Sequence, residues 1–202
     1  IRTDSVLFQA RFAPREWSGE LLAYSITSDG KLGNVNWDAG TKMATRNPDK
    51  IATWVPGEQG RVFKWDNLSD DQKTLLNKDI AGATDTKGAD RLAWLKGDTT
   101  KEVRFGGIFR DRKTTVLGDI VNADLVYTRN EDFGYGSAAF TAKASEGGTY
   151  DAFVSGKSSR PGMVYAGAND GMLHGFTADK VTGGNEMLAY VPNAVYAKLS
   201  AL

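Results

Sequence analysis

The chain has 202 residues, 41% of them apolar, which suffices for one or two domains with a packed core. Its 25 basic and 25 acidic side chains cancel, so no broad field draws it to nucleic acid or to an anionic membrane. The lack of cysteine excludes disulfides, thiolate catalysis and Cys-bearing zinc sites, and no apolar run is long enough to form a transmembrane helix.

Twenty-three glycines, seven tyrosines and five tryptophans point to many turns between aromatic strands, hence to a mainly β protein. The chain opens on Ile1 with no signal-peptide pattern, so a cut start is expected and export remains open.

In chain order, SVLFQARF (Ser5–Phe12) and ELLAYSI (Glu20–Ile26) read as strands on either side of Trp17-Ser18-Gly19. Thr27–Gly33 is a turn, followed by Asn34–Trp37 and a short segment around Thr41–Ala44. KIATWV (Lys50–Val55) and GRVFKW (Gly60–Trp65) form a hairpin through Pro56-Gly57-Glu58-Gln59. Ser69 is placed to cap a helix running to Ile80, with Asp70 and Asp71 at its positive end and Leu75, Leu76 and Ile80 on one face. A polar loop, Ala81–Gly88, precedes a shorter helix at Asp90–Leu95 that Gly97 stops.

Val116–Thr128 reads as one buried strand with a glycine interruption, and Arg129–Arg160 as a long surface excursion. VYAGANDGMLHGF (Val164–Phe176) carries a strong hairpin signal, because Asn169, Asp170 and Gly171 suit the positive φ of a tight primed turn. A polar segment at Thr177–Asn185, a strand at Met187–Val191 and a terminal helix follow, with Pro192 in its first turn and Val195, Leu199 and Leu202 inward.

Gly19-Glu-Leu-Leu-Ala-Tyr24 and Gly171-Met-Leu-His-Gly-Phe176 share the pattern Gly-x-Leu-x-small-aromatic. Each leads through a polar turn into another aromatic strand. Repeated units of this kind suggest propeller blades.

Six segments, FQARFAPREWSGELLAYSI (Phe8–Ile26), FKWDNLSDDQKTLLN (Phe63–Asn77), RLAWLKGD (Arg91–Asp98), FRDRKTTVLGDIVNADLVYT (Phe109–Thr128), RPGMVYAGANDGMLHGF (Arg160–Phe176) and EMLAYVPNAVYAKL (Glu186–Leu199), carry a resemblance. In this order they resemble the β-propeller domain of the PilY/PilC family, the tip-associated adhesins and assembly factors of type IV pili. Leu125 stands where that family often has proline, and Gly175-Phe176-Thr177 replaces a more usual Ala-Phe-Asp.

The resemblance implies a mainly β, partial quinoprotein-like β-propeller with short helical insertions. Residues 1–202 would then be the N-terminal portion of a ring that closes only in a longer chain. It implies a non-catalytic protein of pilus biogenesis, retraction control and adhesion. Such a protein would be exported to the pilus tip or outer membrane, with minor pilins and a host or abiotic surface as partners. No cofactor is expected within these residues. The family's calcium is expected on a short acidic loop beyond Leu202.

The alternatives are a quinoprotein-dehydrogenase-like enzyme, echoed in ADKVTG (Ala178–Gly183), and a carbohydrate-binding propeller using Trp17, Trp37, Trp54, Trp65 and Trp94. The tryptophans equally suit docking between sheets. Phe109-Arg110-Asp111-Arg112 suits either an anion site or a strand-end salt-bridge cluster. His174 is the only histidine, so a multi-His site is excluded. With Asn169, Asp170 and Gly171 it is read as part of a structural hairpin motif, packing or capping an edge on the face shared by Met172 and Phe176.

Overall fold

The computed structural model describes residues 6–137 and 147–202. Ser5, at the start of the first expected strand, and residues 138–146 of the expected excursion lie outside the described residues.

β1 (Val6–Ala13), β2 (Ser18–Ile26) and β3 (Leu32–Asp38) form a three-stranded antiparallel sheet with β2 in the middle. The second sheet is built from β4 (Ile51–Trp54), β5 (Gly60–Val62), β6 (Val126–Thr128), β7 (Met163–Ala168), β8 (Met172–Thr177) and β9 (Glu186–Val191). Its order is β5–β4–β9–β8–β7–β6. Strands β6 to β9 run in chain order as an antiparallel meander, the connectivity of a propeller blade.

Sheets of four antiparallel strands are the propeller expectation, and the observed sheets depart from it. β4 joins β9 in parallel, with Ile51 opposite Ala189, and brings β5 with it. The cause is an edge that would otherwise stand open. Ile51 and Thr53 are fully buried there, and Thr53 Oγ1 donates to the Val191 carbonyl at 2.9 Å while lying 2.9 Å from the Tyr196 hydroxyl.

The internal repeat has a structural counterpart. Gly19–Tyr24 lies in β2, and Gly171–Phe176 covers the turn and most of β8, each a strand with a neighbour on both sides. The following strands, β3 and β9, carry Trp37 and Tyr190. Trp37 joins the sheets: its Nε1 donates to the Asp179 carbonyl at 2.8 Å, and its ring lies on Gly183 and Gly184. A Cβ at those glycines would come within 2.6 and 2.7 Å of the indole, so ADKVTG and its neighbour form the cradle for this ring.

Two apolar cores meet along β8. One takes Phe8, Leu21, Trp37, Leu117 and Phe176 between the sheets. The other takes Ile51, Phe63, Leu76, Trp94, Met172 and Tyr196 under the helices.

Several elements differ from their sequence reading. Val116–Thr128 is not one strand, since only Val126–Thr128 pairs and the rest makes a single bridge from Gly118 to Ser18. Leu117 and Ile120 are drawn into the inter-sheet core, and Asn122 at φ +56 ends the extended run. Helix α1 (Ala39–Lys42) is capped by Asp38, whose side chain accepts from Gly40 N. Helix α2 (Asp70–Leu76) has the Ser69–Gln72 capping box but stops at Asn77, so Ile80 is 80% exposed instead of facing the core. Helix α3 (Gly88–Leu95) ends before Gly97, whose φ is +114. The Gly- and Ser-rich excursion contains helix α4 (Gly147–Lys157), and its Lys157 lies over the Phe133 and Phe153 rings. After Pro192 the chain forms a 3-10 helix, Asn193–Ala201, with the proline at its N-cap and Tyr196 and Leu199 buried.

The tryptophans divide: Trp37 and Trp94 are buried, whereas Trp17 and Trp54 are 62% and 48% exposed. Trp37→Ala should therefore cost about 3–5 kcal/mol in denaturant unfolding, as large-to-small core changes do. Trp54→Ala should stay within about 1 kcal/mol. Equal effects would show that the cradle does not hold the sheets together.

Candidate functional site

The hairpin turn differs from the primed two-residue turn that its residues suggest. Ala168 pairs with Met172, leaving Asn169-Asp170-Gly171 as a three-residue loop closed by Gly171 N donating to the Ala168 carbonyl. Of the three only Gly171 takes a positive φ, +83. This is the second common hairpin form, a right-handed turn followed by one left-handed glycine. The wider loop leaves the Asn and Asp side chains free to bond elsewhere.

Both residues bond to the segment between the sheets. Asn169 N and Nδ2 donate to the Asp119 carbonyl and carboxylate at 2.9 and 2.6 Å. The Asp170 carboxylate accepts from Gly118 N at 3.0 Å and from Met172 N at 3.1 Å. Position 118 must be glycine here, because a Cβ would lie 2.5 Å from Asp170 N. Gly19 N in turn donates to the Leu117 carbonyl, so the turn is tied to β2.

His174 is fully buried on the face it shares with Met172 and Phe176, between one core and the other. Its ring stacks on Phe176 with centroids 5.8 Å apart. Nε2 is 3.0 and 3.1 Å from the two Asp170 oxygens, and Nδ1 is 2.7 Å from Glu186 Oε1. Glu186 is also held by Arg46, whose Nε and Nη2 donate to its two oxygens at 2.8 and 2.9 Å. The histidine thus sits in the interior and between carboxylates, rather than at an edge.

Two carboxylates, one guanidinium and one imidazole cancel in charge only when the imidazole is protonated. Burial alone would depress the His174 pKa, but the charges and hydrogen bonds of Asp170 and Glu186 outweigh it and raise it to about 9. Asp170 and Glu186 titrate below their ordinary values: burial opposes this, and the His174 charge with Gly118 N or Arg46 overrides it. As an imidazolium, His174 donates from both nitrogens to carboxylates and has none left to accept a proton or bind a metal. The geometry makes a clamp, not a general base.

The hairpin carboxylate does not suit calcium either, since both Asp170 oxygens already face donors. Among the described residues no group of three or more His, Asp or Glu side chains is arranged to hold a metal, and no helix is long and apolar enough to cross a membrane.

Phe109-Arg110-Asp111-Arg112 forms a salt-bridge cluster, with a partner the motif does not contain. Arg112 Nε donates to the fully buried Glu102 at 3.0 Å, and Arg104 pairs with the same carboxylate at 2.9 Å. Asp111 instead accepts from Arg104 N, and Arg110 and Arg112 lie 5.5 and 4.1 Å from the Trp94 ring centre.

Of the clamp, the sequence reading singles out Asp170 and His174 but not Glu186 or Arg46. Glu186 opens an apolar strand, EMLAYV, and a lone acid heading such a run facing the only histidine is a usable signal. Arg46 arrives from the other half of the chain, and nothing local marks it.

A mainly β scaffold with a blade-like meander, its buried polar groups engaged in holding strands, is the class of protein these features define. Comparison with known families matches residues 117–200 to the PilY1 beta-propeller domain. The type IV pilus biogenesis factor PilY1 of Pseudomonas aeruginosa strain PAK is 37% identical over 206 aligned residues, covering 96% of this chain. A PilY1 homolog of Xylella fastidiosa strain Temecula1 is 31% identical over 203 residues, covering 98% of it. This chain is similar to the PilY1 β-propeller family along nearly its whole length. It spans 17% of the length of the Pseudomonas relative and 15% of the Xylella one. No solved structure matches it.

The clamp has a pH signature. The raised His174 pKa contributes stability that is complete below pH 6.5 and lost as pH rises through about 9. The lowered Asp170 and Glu186 values contribute stability present above 3.8 and 4.5 and lost as pH falls through their folded values. His174→Gln leaves Asp170 buried without a cation and Glu186 with Arg46 alone, and should cost about 3–5 kcal/mol at pH 6. It should also flatten the decline between pH 6.5 and 9. Denaturant midpoints across that range check both, and an unchanged decline in the variant would assign the pH dependence elsewhere.

Proposed function

We propose that this chain is a non-catalytic binding and scaffold portion of a longer type IV pilus biogenesis factor. In this reading it acts outside the cell, at the pilus tip or outer membrane, in pilus assembly, retraction control and surface attachment. The observation that carries the reading is the match to PilY1 along nearly the whole chain, at 37% identity. Its partners would be minor pilins and a host or abiotic surface, and the family's calcium would bind outside these residues.

The form of the second sheet supports a place within a larger ring. On the face of the meander turned away from the clamp, Leu173, Met187 and Leu188 are each 42% exposed, as a blade awaiting a neighbour would leave them. The clamp supports a structural over an enzymatic role, since its histidine is engaged at both nitrogens.

The test places Asp170→Ala in the full-length gene, where it removes the clamp without touching the surface. Surface pili counted by electron microscopy should fall at least several-fold, and recover when retraction is disabled. Normal piliation with a confirmed loss of folding in this region would contradict the role in biogenesis. For calcium, residues 1–202 should show no shift in melting temperature at millimolar concentration, because a ligand stabilises only a native state that binds it. A rise of several degrees would put a calcium site within them.

A further inference from the structure

A cavity of about 810 Å³ opens between α3, the β5–α2 segment and the loop carrying Arg46. That size matches sites that take small molecules. Four cations line it, Arg46, Lys64, Lys96 and Arg112, against two carboxylates, Asp66 and Asp98. Arg112 is neutralised by Glu102, and Lys64 reaches Asp49 at 3.0 Å in an exposed pair. Asp98 is engaged by Thr100 N at 2.8 Å.

Two positive groups in this wall have donors without a partner among the described residues. Lys96 is half-buried, and its ammonium makes no hydrogen bond or ion pair among the described residues. Arg46 gives Nε and Nη2 to Glu186, while its buried Nη1 has no hydrogen-bond partner among the described residues. The lysine titrates low because it is partly desolvated and also because Lys64 and Arg46 repel its charge, with Asp49 opposing. The three cations therefore act on one small volume, beside apolar lining from Trp65, Leu92 and Val116.

We propose that this cavity binds a small ligand bearing an oxyanion, a carboxylate or a phosphate group. Lys96 is its principal counter-charge and Lys64 assists. The ligand's ring or apolar body rests on Trp65, Leu92 and Val116. A charge brought next to an unpaired, half-buried ammonium gains more than one next to a hydrated surface lysine, which is why Lys96 is the discriminating residue. The site is independent of any pilus role, and its success or failure leaves that reading untouched.

Isothermal titration of the full-length protein with glucuronate, glucose 6-phosphate and glucose tests this. The three share a ring and differ in carrying a carboxylate, a phosphate or no charge. Saturable heat with at least one acidic sugar and none with glucose is expected, and the tighter acid names the oxyanion. Lys96→Gln should weaken that binding at least tenfold, Lys96→Arg should retain it, and Lys64→Gln should give a smaller loss. Lys64→Gln breaks only an exposed pair and so provides a reading even if Lys96→Gln folds poorly. Glucose binding as well as the acids, no binding of either acid, or unchanged affinity in the Gln variants would overturn the proposal.

Discussion

One buried network of charges ties the second sheet together. Asp170, His174, Glu186 and Arg46 form a row of alternating charges in which the imidazole must carry its proton for the row to be neutral. Each member comes from a different element: the β7–β8 turn, β8, the first residue of β9, and the segment after α1. Through Gly118 the row extends to the segment between the sheets and, by Gly19, to β2. A well-packed apolar replacement could be as stable, but removing any one member leaves an uncompensated charge in the interior. That asymmetry makes the row a fixing device for strand register.

The position of the row explains why it is polar at all. On β8, Met172 faces one core and Phe176 the other, with His174 between them. An apolar residue there would merge two cores that are built from different parts of the chain. The charged pairings instead favour one arrangement of turn, strand and Arg46, because it gives both His174 nitrogens and both Glu186 oxygens their partners. Trp37 does the corresponding work in the first core, where its indole fits a cradle of two glycines in the β8–β9 loop.

What was legible in the sequence was local. Strand-favouring apolar runs mark β1 and β2, Ser69 with Asp70 and Asp71 marks the start of α2, and Asn-Asp-Gly marks the hairpin, though not the turn geometry. Long-range partners were invisible: Arg46, the parallel seam of β4 with β9, and the Trp37 cradle all join residues more than a hundred positions apart. Ile80 shows the opposite failure, where helical periodicity ran past the residue at which Asn77 ends the helix. Val116–Thr128 looks like a strand because it is apolar, but it is apolar because it passes between two sheets. The family, by contrast, could be read from motif order, because six separate segments recur in sequence.

The charge on His174 is the claim on which the rest turns, and nitrogen-15 NMR of the imidazole reads it directly. A protonated ring at pH 7.5, with both nitrogens at imidazolium shifts and titration near pH 9, is the predicted result. A neutral ring at pH 7.5, titrating near 6.5, would mean that the two carboxylates do not hold the proton and that the row is not a charged clamp.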